Sequence, residues 1–381
     1  MNRYCFEEDH QLFREAYRRF LEQEVLPHRE SWRENNIVPK DMFKKMGDQG
    51  YLLCWAPEEY GGLGLKDFRY QQIMMEEDAV RGEVGFFHTL HSRLVGPYIE
   101  KFGSDEQKQR YLPSCISGET VLAIAMTEPD AGSDLAGMKT RAVDCGDHWL
   151  LNGAKTYISN GINADLVIVA AKTNPDKPRQ IGLFLVDAAQ AGFARGRNLK
   201  KLGLKAQDTG ELFFTDIKLP KSAALGDPDK GMHYLMHSLA EERLIAACDS
   251  LAAARRAFDV TKLFVIERKV FGQSLAQLQN TRFKMAQLFS EINIAQCFVD
   301  HCVAEHNAGK LTSEMAAQAK LISSELQGRA CDEGVQLHGG AGYMMEYEIC
   351  ELYANARVSR ILAGSAEIMK EIIARSVFDT K

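Results

Sequence analysis

The chain has no apolar run long enough to cross a bilayer, no CxxC pair, no basic block, no internal repeat and no low-complexity tract. Each gap closes a class. A transmembrane helix needs about 20 consecutive, mostly apolar residues. A nucleic-acid partner would call for clustered Lys and Arg, whereas the formal net charge is −6. A local site can still oppose that charge and take a small anion. The nine cysteines are scattered and odd in number, which fits free thiols in a reducing compartment. The opening MNRYCFEEDHQLFREAYRRFL mixes acids, bases and aromatics, and has neither an apolar signal core nor the acid-poor character of a transit peptide. A soluble cytoplasmic protein is the expectation. No HExxH or GxSxG occurs, so zinc-protease and serine-hydrolase chemistry have no footing. His88 and His91 share a helix face, as do Cys297 and His301, but a metal needs three or four convergent ligands. These pairs read as packing or surface residues, and no metal site is expected. No GxGxxG frame links a strand to a helix, so YGGLGL at 60–65 reads as a turn rather than a phosphate cradle.

What is present is ordinary globular composition, 45% hydrophobic and 26% charged over 381 residues, enough for two or three domains with a dry core. Three blocks differ in period. Residues 1–120 are helical, with Leu12, Tyr17, Phe20 and Leu21 at helical spacing, Pro27 as a stop, and further helices over 40–49, 68–80, 84–101 and 104–117. Residues 121–229 turn to short β-type runs: VLAIAMT, HWLLNGAKTYIS, DLVIVAAK, IGLFLVD and ELFFTDIKLP. Asn152-Gly153 is a hairpin signal, because both residues accept positive φ. No helix-length segment separates the strands, so an antiparallel sheet or barrel is expected. Residues 230–381 return to long helical patterns near 231–268, 275–308, 312–338 and 364–377, a four-helix bundle. The fold class is multidomain α+β.

One stretch asks for more than a turn. MTEPDAGSDLAG, 126–137, ends the apolar run VLAIA in a stiff acidic loop. By composition alone it is a turn shaped by Pro129 and Gly132, with Ser133 or Asp134 bonding the local backbone. Three other segments change that reading: LNGAKTYISNG at 151–161, ERKVFGQSLAQLQ at 267–279, and VQLHGGAGYM at 335–344 followed by ILAGSAEIMKEIIARSVF at 361–378. In order and spacing these resemble the acyl-CoA dehydrogenase family over nearly the whole chain. LGLKAQDTGELFFTDIKLP at 202–220 looks most like its long-chain branch.

The resemblance implies an FAD enzyme that oxidises an acyl-CoA thioester to the trans-2-enoyl-CoA and passes electrons to electron-transfer flavoprotein. It implies a β-barrel between two helical domains and a homotetramer, a dimer of dimers. It places Ile124, Ala125, Met126, Thr127 and Ser133 along the flavin, with Ser133 on the thioester side. Tyr157, Ile158 and Ser159 also touch the ring; many relatives have Trp where this chain has Tyr157. Arg268, a fixed fork of donors, matches a pyrophosphate contact, and Phe271 and Gln279 match further cofactor contacts. Gln336, Gly339 and Gly340 match an element near the adenosine end, where glycine lets backbone approach closely. By resemblance, Arg268 and this element serve a neighbouring subunit's FAD. Gly364, Ser365 and Glu367 match the start of the last helix, whose N–H groups can receive an anion or a carbonyl.

Dehydrogenation needs a carboxylate to take the α-proton. Much of the family keeps it where this chain has Ala363, which cannot serve. The long-chain and isovaleryl branches place it in an ERL context on an earlier helix, here LMHSLAEERLIAA, 235–247. Glu242 shares a helical face with Leu235, Leu239 and Ala246, whereas Glu241 falls with His237, Leu244 and Cys248. Glu242 also aligns with the branch's base. It is the expected catalyst, with Ser133, Glu241 and Arg243 beside the substrate. The readings left beside this one are an acyl-CoA oxidase, an enoyl-CoA reductase, and a flavin- or CoA-binding scaffold without catalysis.

Overall fold

The computed structural model describes residue 3 and residues 5–174, 176–177 and 179–378. The N-terminal part holds α1 (Glu8–Phe20), α2 (Arg29–Asn35), α3 (Asp41–Asp48), α4 (Phe68–Val80), α5 (Gly96–Phe102) and α6 (Asp105–Ile116). Two π-helical turns interrupt it, Leu21–Val25 and Leu90–Val95. Pro27 therefore does not end the first helix: α1 gives way to a π turn at Leu21, and Pro27 sits in a 3₁₀ turn leading into α2. Ser104 starts α6 with a capping box, its hydroxyl on the Gln107 N–H and the Gln107 side chain on its own N–H.

The middle part is one curled sheet of β1 (Leu122–Ala125), β2 (Arg141–Asp144), β3 (His148–Ser159), β4 (Leu166–Lys172), β5 (Ile181–Asp187), β6 (Phe193–Asn198) and β7 (Thr209–Pro220). The order is β1-β4-β2-β3-β7-β6, with β5 also on β4. Most pairings are antiparallel, but β1 runs parallel to β4, because the chain enters from the N-terminal helices and crosses over. The side-chain period of two assigns the faces of β1. Leu122 and Ile124 join a core shared with the N-terminal helices, while Ala123 and Ala125 join Trp149, Leu151, Val167 and Phe214 inside the curl.

Asn152-Gly153 makes no hairpin. β3 runs straight through it, and the pairing with β7 slips between Leu151 and Gly153. Gly153 has φ +152°, and a Cβ there would lie 2.4 Å from Thr140 Oγ1. The glycine signal is real, but it marks a bulge.

The C-terminal part is α7 (Gly231–Glu267), a short hairpin of β8 (Lys269–Val270) and β9 (Gln273–Ser274), α8 (Gln279–Asn307), α9 (Ser313–His338), α10 (Glu348–Ser359) and α11 (Ala366–Val377). The expected bundle gains α10 as a further helix. α7 is no surface helix: Arg243 through Cys248 are all buried, so its middle passes through the interior. Leu244, Leu251, Ile292, Val299, Leu326 and Ile349 form its core, each full burial contributing ~1.5–3 kcal/mol.

Candidate active site

Glu241 and Glu242 leave α7 toward different surroundings. Glu241 meets three basic side chains: Arg93 at 2.7 Å, Lys101 at 3.3 Å and His306 at 3.5 Å. Arg93 lies on the second π turn, Lys101 on α5 and His306 on α8, so this carboxylate ties three elements together. The Arg93 contact is ionic rather than a well-aimed hydrogen bond, since neither Nε nor the facing oxygen has a geometric partner. Burial pushes the Glu241 carboxyl up, but His306 and then the Arg93 and Lys101 charges outweigh it and hold it at about 2. Glu241, expected beside substrate, has its charge committed to this hub.

Among the described residues Glu242 has no hydrogen-bond or ion-pair partner. It lines a small cleft with Arg93, Leu94, Tyr98, Ser238 and Glu241. Half-buried in the wall of that cleft, it is crowded by protein, and burial pushes its carboxyl up to about 7 against the pull of Arg243. The Tyr98 phenol is raised by burial and by Glu242. A desolvated carboxylate poised near neutrality is what proton abstraction from a carbon acid requires. Arg243 is buried and turns away, donating to Ser313 Oγ at 2.9 Å. Sequence reasoning missed Asp249, seven residues on and so on the same face, about 10 Å along the axis. Its side chain is open to solvent, and no hydrogen bond or ion pair ties it down among the described residues.

Lys320 Nζ, fully buried, donates to the Gly364 carbonyl at 2.7 Å. Burial and then Arg243 pull it down to about 8. The turn of Ala363 (φ +54°) and Gly364 (φ +88°) is thereby held beside the Arg243 region. Ser365 caps α11 through the Ile368 N–H, and Glu367 stands exposed in its first turn.

At the sheet mouth, Thr127 accepts from the Thr156 N–H at 3.0 Å, which brings the MTEPDAGSD turn against the YIS segment. Beneath it Lys155, fully buried, donates to the Met126 carbonyl and to Glu128, both at 2.9 Å. Glu128 also accepts from the Lys139 and Thr140 N–H groups at 2.6 and 3.0 Å. Burial pulls Lys155 down to about 8, still above neutrality, while the donors around Glu128 outweigh its burial and hold it low. The pair is therefore ionised at neutral pH. A second slip in the β3–β7 register, between Lys155 and Ile158, throws Tyr157 outward at φ +59° and 67% exposed. Ile158 stays buried. Ser133 is exposed on the turn. Gln207, also unnoticed in the sequence, donates to Ser159 Oγ at 2.6 Å.

The remaining candidates gather elsewhere. Arg268, Phe271, Gln279, Gln336, Gly339 and Gly340 are all exposed at the far end of the C-terminal helices. Phe264 of α7 stacks on His338 of α9 at 4.0 Å there. Arg268 follows Glu242 by 26 residues of α7, about 39 Å along its axis.

Family models for the acyl-CoA dehydrogenase N-terminal, middle and C-terminal domains match residues 7–119, 123–217 and 229–378. The chain belongs to the acyl-CoA dehydrogenase family. It is an oxidoreductase acting on CH–CH groups, and the enzymes of this family depend on FAD. It is 44% identical to the mitochondrial long-chain specific acyl-CoA dehydrogenase of Sus scrofa, over all of this chain and 89% of that one. It is 34% identical to a 3-(aryl)acrylate reductase of Clostridium sporogenes, over 98% and 99%. The crystal structure of an acyl-CoA dehydrogenase from Geobacillus kaustophilus superposes with TM-score 0.96 at 45% identity, covering 99% and 100%.

The residues fit that cofactor. The sheet mouth offers hydroxyls at Thr127 and Ser159 and an outward aromatic face at Tyr157, the chemistry a flat heterocycle with polar edges needs. Around Gly132, Gly339 and Gly340 an added Cβ would meet nothing within 4 Å, leaving open cradles. Arg268 supplies a guanidinium fork for phosphate.

Proposed function

We propose that this enzyme oxidises a long-chain or branched acyl-CoA to the trans-2-enoyl-CoA, with Glu242 as the base. The observation that carries the reading is a carboxylate with no partner among the described residues, pushed up to about 7, in a cleft whose neighbouring acid is paired with Arg93, Lys101 and His306. Bound FAD supplies the two-electron acceptor that takes hydride from the β-carbon. Ile124, Ala125, Met126, Thr127 and Ser133, with Tyr157, Ile158 and Ser159, would hold the flavin, with Ser133 toward the thioester. Glu242 takes the α-proton, and Lys320 braces the turn at Ala363 to Ser365 through the Gly364 carbonyl. Glu241 keeps the cleft wall in place.

In this reading, electrons pass to electron-transfer flavoprotein. The chain works as a homotetramer of three-part subunits, divided at 1–120, 121–229 and 230–381. The distance of Arg268 from Glu242 exceeds the reach of one extended FAD, which supports Arg268, Phe271, Gln279, Gln336, Gly339 and Gly340 serving a neighbour's cofactor. A cytoplasmic location is supported by nine scattered cysteines, a usage that fits a reducing compartment; no helix among the described residues is long and apolar enough to cross a membrane.

The test is anaerobic mixing of the flavoprotein with a panel of straight and branched acyl-CoAs. Wild type bleaches its flavin, and Glu242→Gln keeps FAD while losing about 10²- to 10⁴-fold in the reduction rate. Because the carboxylate is the working form, kcat/KM rises as pH climbs through about 7 and levels above it. A Glu242→Gln enzyme with near-normal rates removes Glu242 from the role.

A further inference from the structure

LGLKAQDTG, the loop from β6 to β7, has so far no part in the reaction. The structure packs it against the flavin-side segment of β3. Gln207 is buried, and its Nε2 reaches Ser159 Oγ at 2.6 Å. The next residue grips the same segment from the other side: the Asp208 carboxylate accepts the Ile162 and Asn163 N–H groups at 2.8 and 3.2 Å, and its carbonyl accepts from Asn160 N–H at 3.2 Å. The loop itself is pinned. Leu204, at φ +48°, donates its N–H to Asn355 Oδ1 of α10, and the Gln207 N–H closes a turn onto the Leu204 carbonyl at 3.1 Å. A Cβ on Gly85 would come within 2.9 Å of the Gln207 nitrogen, so the loop lies tight on the segment before α5. The main chain at Gln207 is thus held from several sides, and its side-chain amide reaches Ser159 from that fixed base.

A serine hydroxyl has one proton to give and two lone pairs to offer. The Gln207 amide takes one lone pair, and among the described residues no group accepts the Ser159 proton. We propose that Gln207 is a positioning residue for the cofactor, holding Ser159 Oγ as an acceptor so that its proton is donated to an acceptor atom on the flavin's polar edge. This deepens the proposed function and rests on its placement of the flavin at Ser159. A donor fixed there favours the charge that gathers on that edge as electrons arrive. The side chain must be a donor: a carboxylate of the same shape would draw the Ser159 proton toward itself and away from the ring.

The experiment uses the holoenzyme and two readouts that need no turnover, the FAD dissociation rate and the midpoint potential of the bound flavin. Ser159→Ala is expected to speed FAD loss about threefold to tenfold, the range for one net hydrogen bond, and to shift the potential. Gln207→Met moves both in the same direction. The double variant Ser159→Ala/Gln207→Met is no worse than Ser159→Ala alone, because Gln207 acts through that hydroxyl. Gln207→Glu, isosteric and acceptor-only, behaves like Ser159→Ala, and it decides the matter if Gln207→Met fails to fold. A changed Ser159→Ala beside wild-type values for Gln207→Met and Gln207→Glu, or additive effects in the double variant, overturns the role of Gln207. An unchanged Ser159→Ala overturns the flavin contact itself, while flavin bleaching by acyl-CoA tests the base at Glu242 separately.

Discussion

Glu241 and Glu242 are chemically the same and adjacent, yet one is held at about 2 and the other at about 7. The difference is what each faces. Glu241→Gln removes the counter-charge of Arg93, Lys101 and His306 at once. The carboxyl of Glu241 is depressed from its ordinary value, so its contribution is complete above about pH 4.5 and lost as pH falls toward 2. The expected outcome is a loss of ~3 kcal/mol at pH 7, narrowing at acid pH, read from denaturant midpoints across that range. Lys155 makes a sharper case. Lys155→Met strands Glu128 without its buried cation, a loss of about 3–5 kcal/mol, while Lys155→Met/Glu128→Gln recovers part of it. Thermal melts of the two variants check this. A flavin spectrum altered in both would show that the Met126 carbonyl needs its donor as well as the pair its balance.

At the scale of elements, the long periodic segments were legible, and the irregular ones were not. The sequence bounds of 231–268 and 312–338 sit within a residue of α7 and α9, because helical spacing over 25 or more residues admits little else. α10 was hidden, since EICELYANARVS carries Asn355, Ile349 and Val358 and follows a glycine-rich turn. β2 and β6 were hidden because RAVD and FARGRN are short and mostly exposed, without a run of apolar residues to mark them. Asn152-Gly153 was read as a hairpin since sequence shows that a glycine is needed but not whether the chain reverses. Gly153→Ala tests the bulge. With φ +152° and Thr140 Oγ1 at 2.4 Å from the new Cβ, it is expected to lose about 1–3 kcal/mol, read as a lower unfolding midpoint. Glu242 was legible only with the family's help. Helical phase put it on an apolar face, but α7 is buried all round there, so phase alone does not separate it from Glu241. Gln207 gave no signal, because its partner is 48 residues away in sequence.

At the scale of the molecule, large apolar side chains stand in water where a single copy leaves them. Phe271 is 95% exposed at the tip of the β8–β9 hairpin, and Tyr343, Ile294 and Phe283 are each more than half exposed. Scattered apolar residues need no explanation, but Phe271, Phe283 and Tyr343 follow closely in sequence on Arg268, Gln279 and Gly340 of the candidate cofactor group, which lies too far along α7 to serve the cleft at Glu242. Phe271 (φ +51°) and Gly272 (φ +79°) are the two central residues of that hairpin, whose tight turn requires positive φ at both and so holds the aromatic ring out at the tip. Phe271→Asp separates association from folding, because Asp tolerates positive φ better than Phe and the hairpin tip touches no core. The expected outcome is a monomer or dimer by sedimentation, with an unfolding midpoint close to wild type after correction for association and with FAD released on dilution. Arg268→Ala is expected to keep the assembly and weaken FAD retention alone. Should Phe271→Asp sediment as wild type, or dissociate and yet hold FAD at nanomolar protein, the shared cofactor site would be wrong, and Arg268 would be a solvated charge at the end of a long helix.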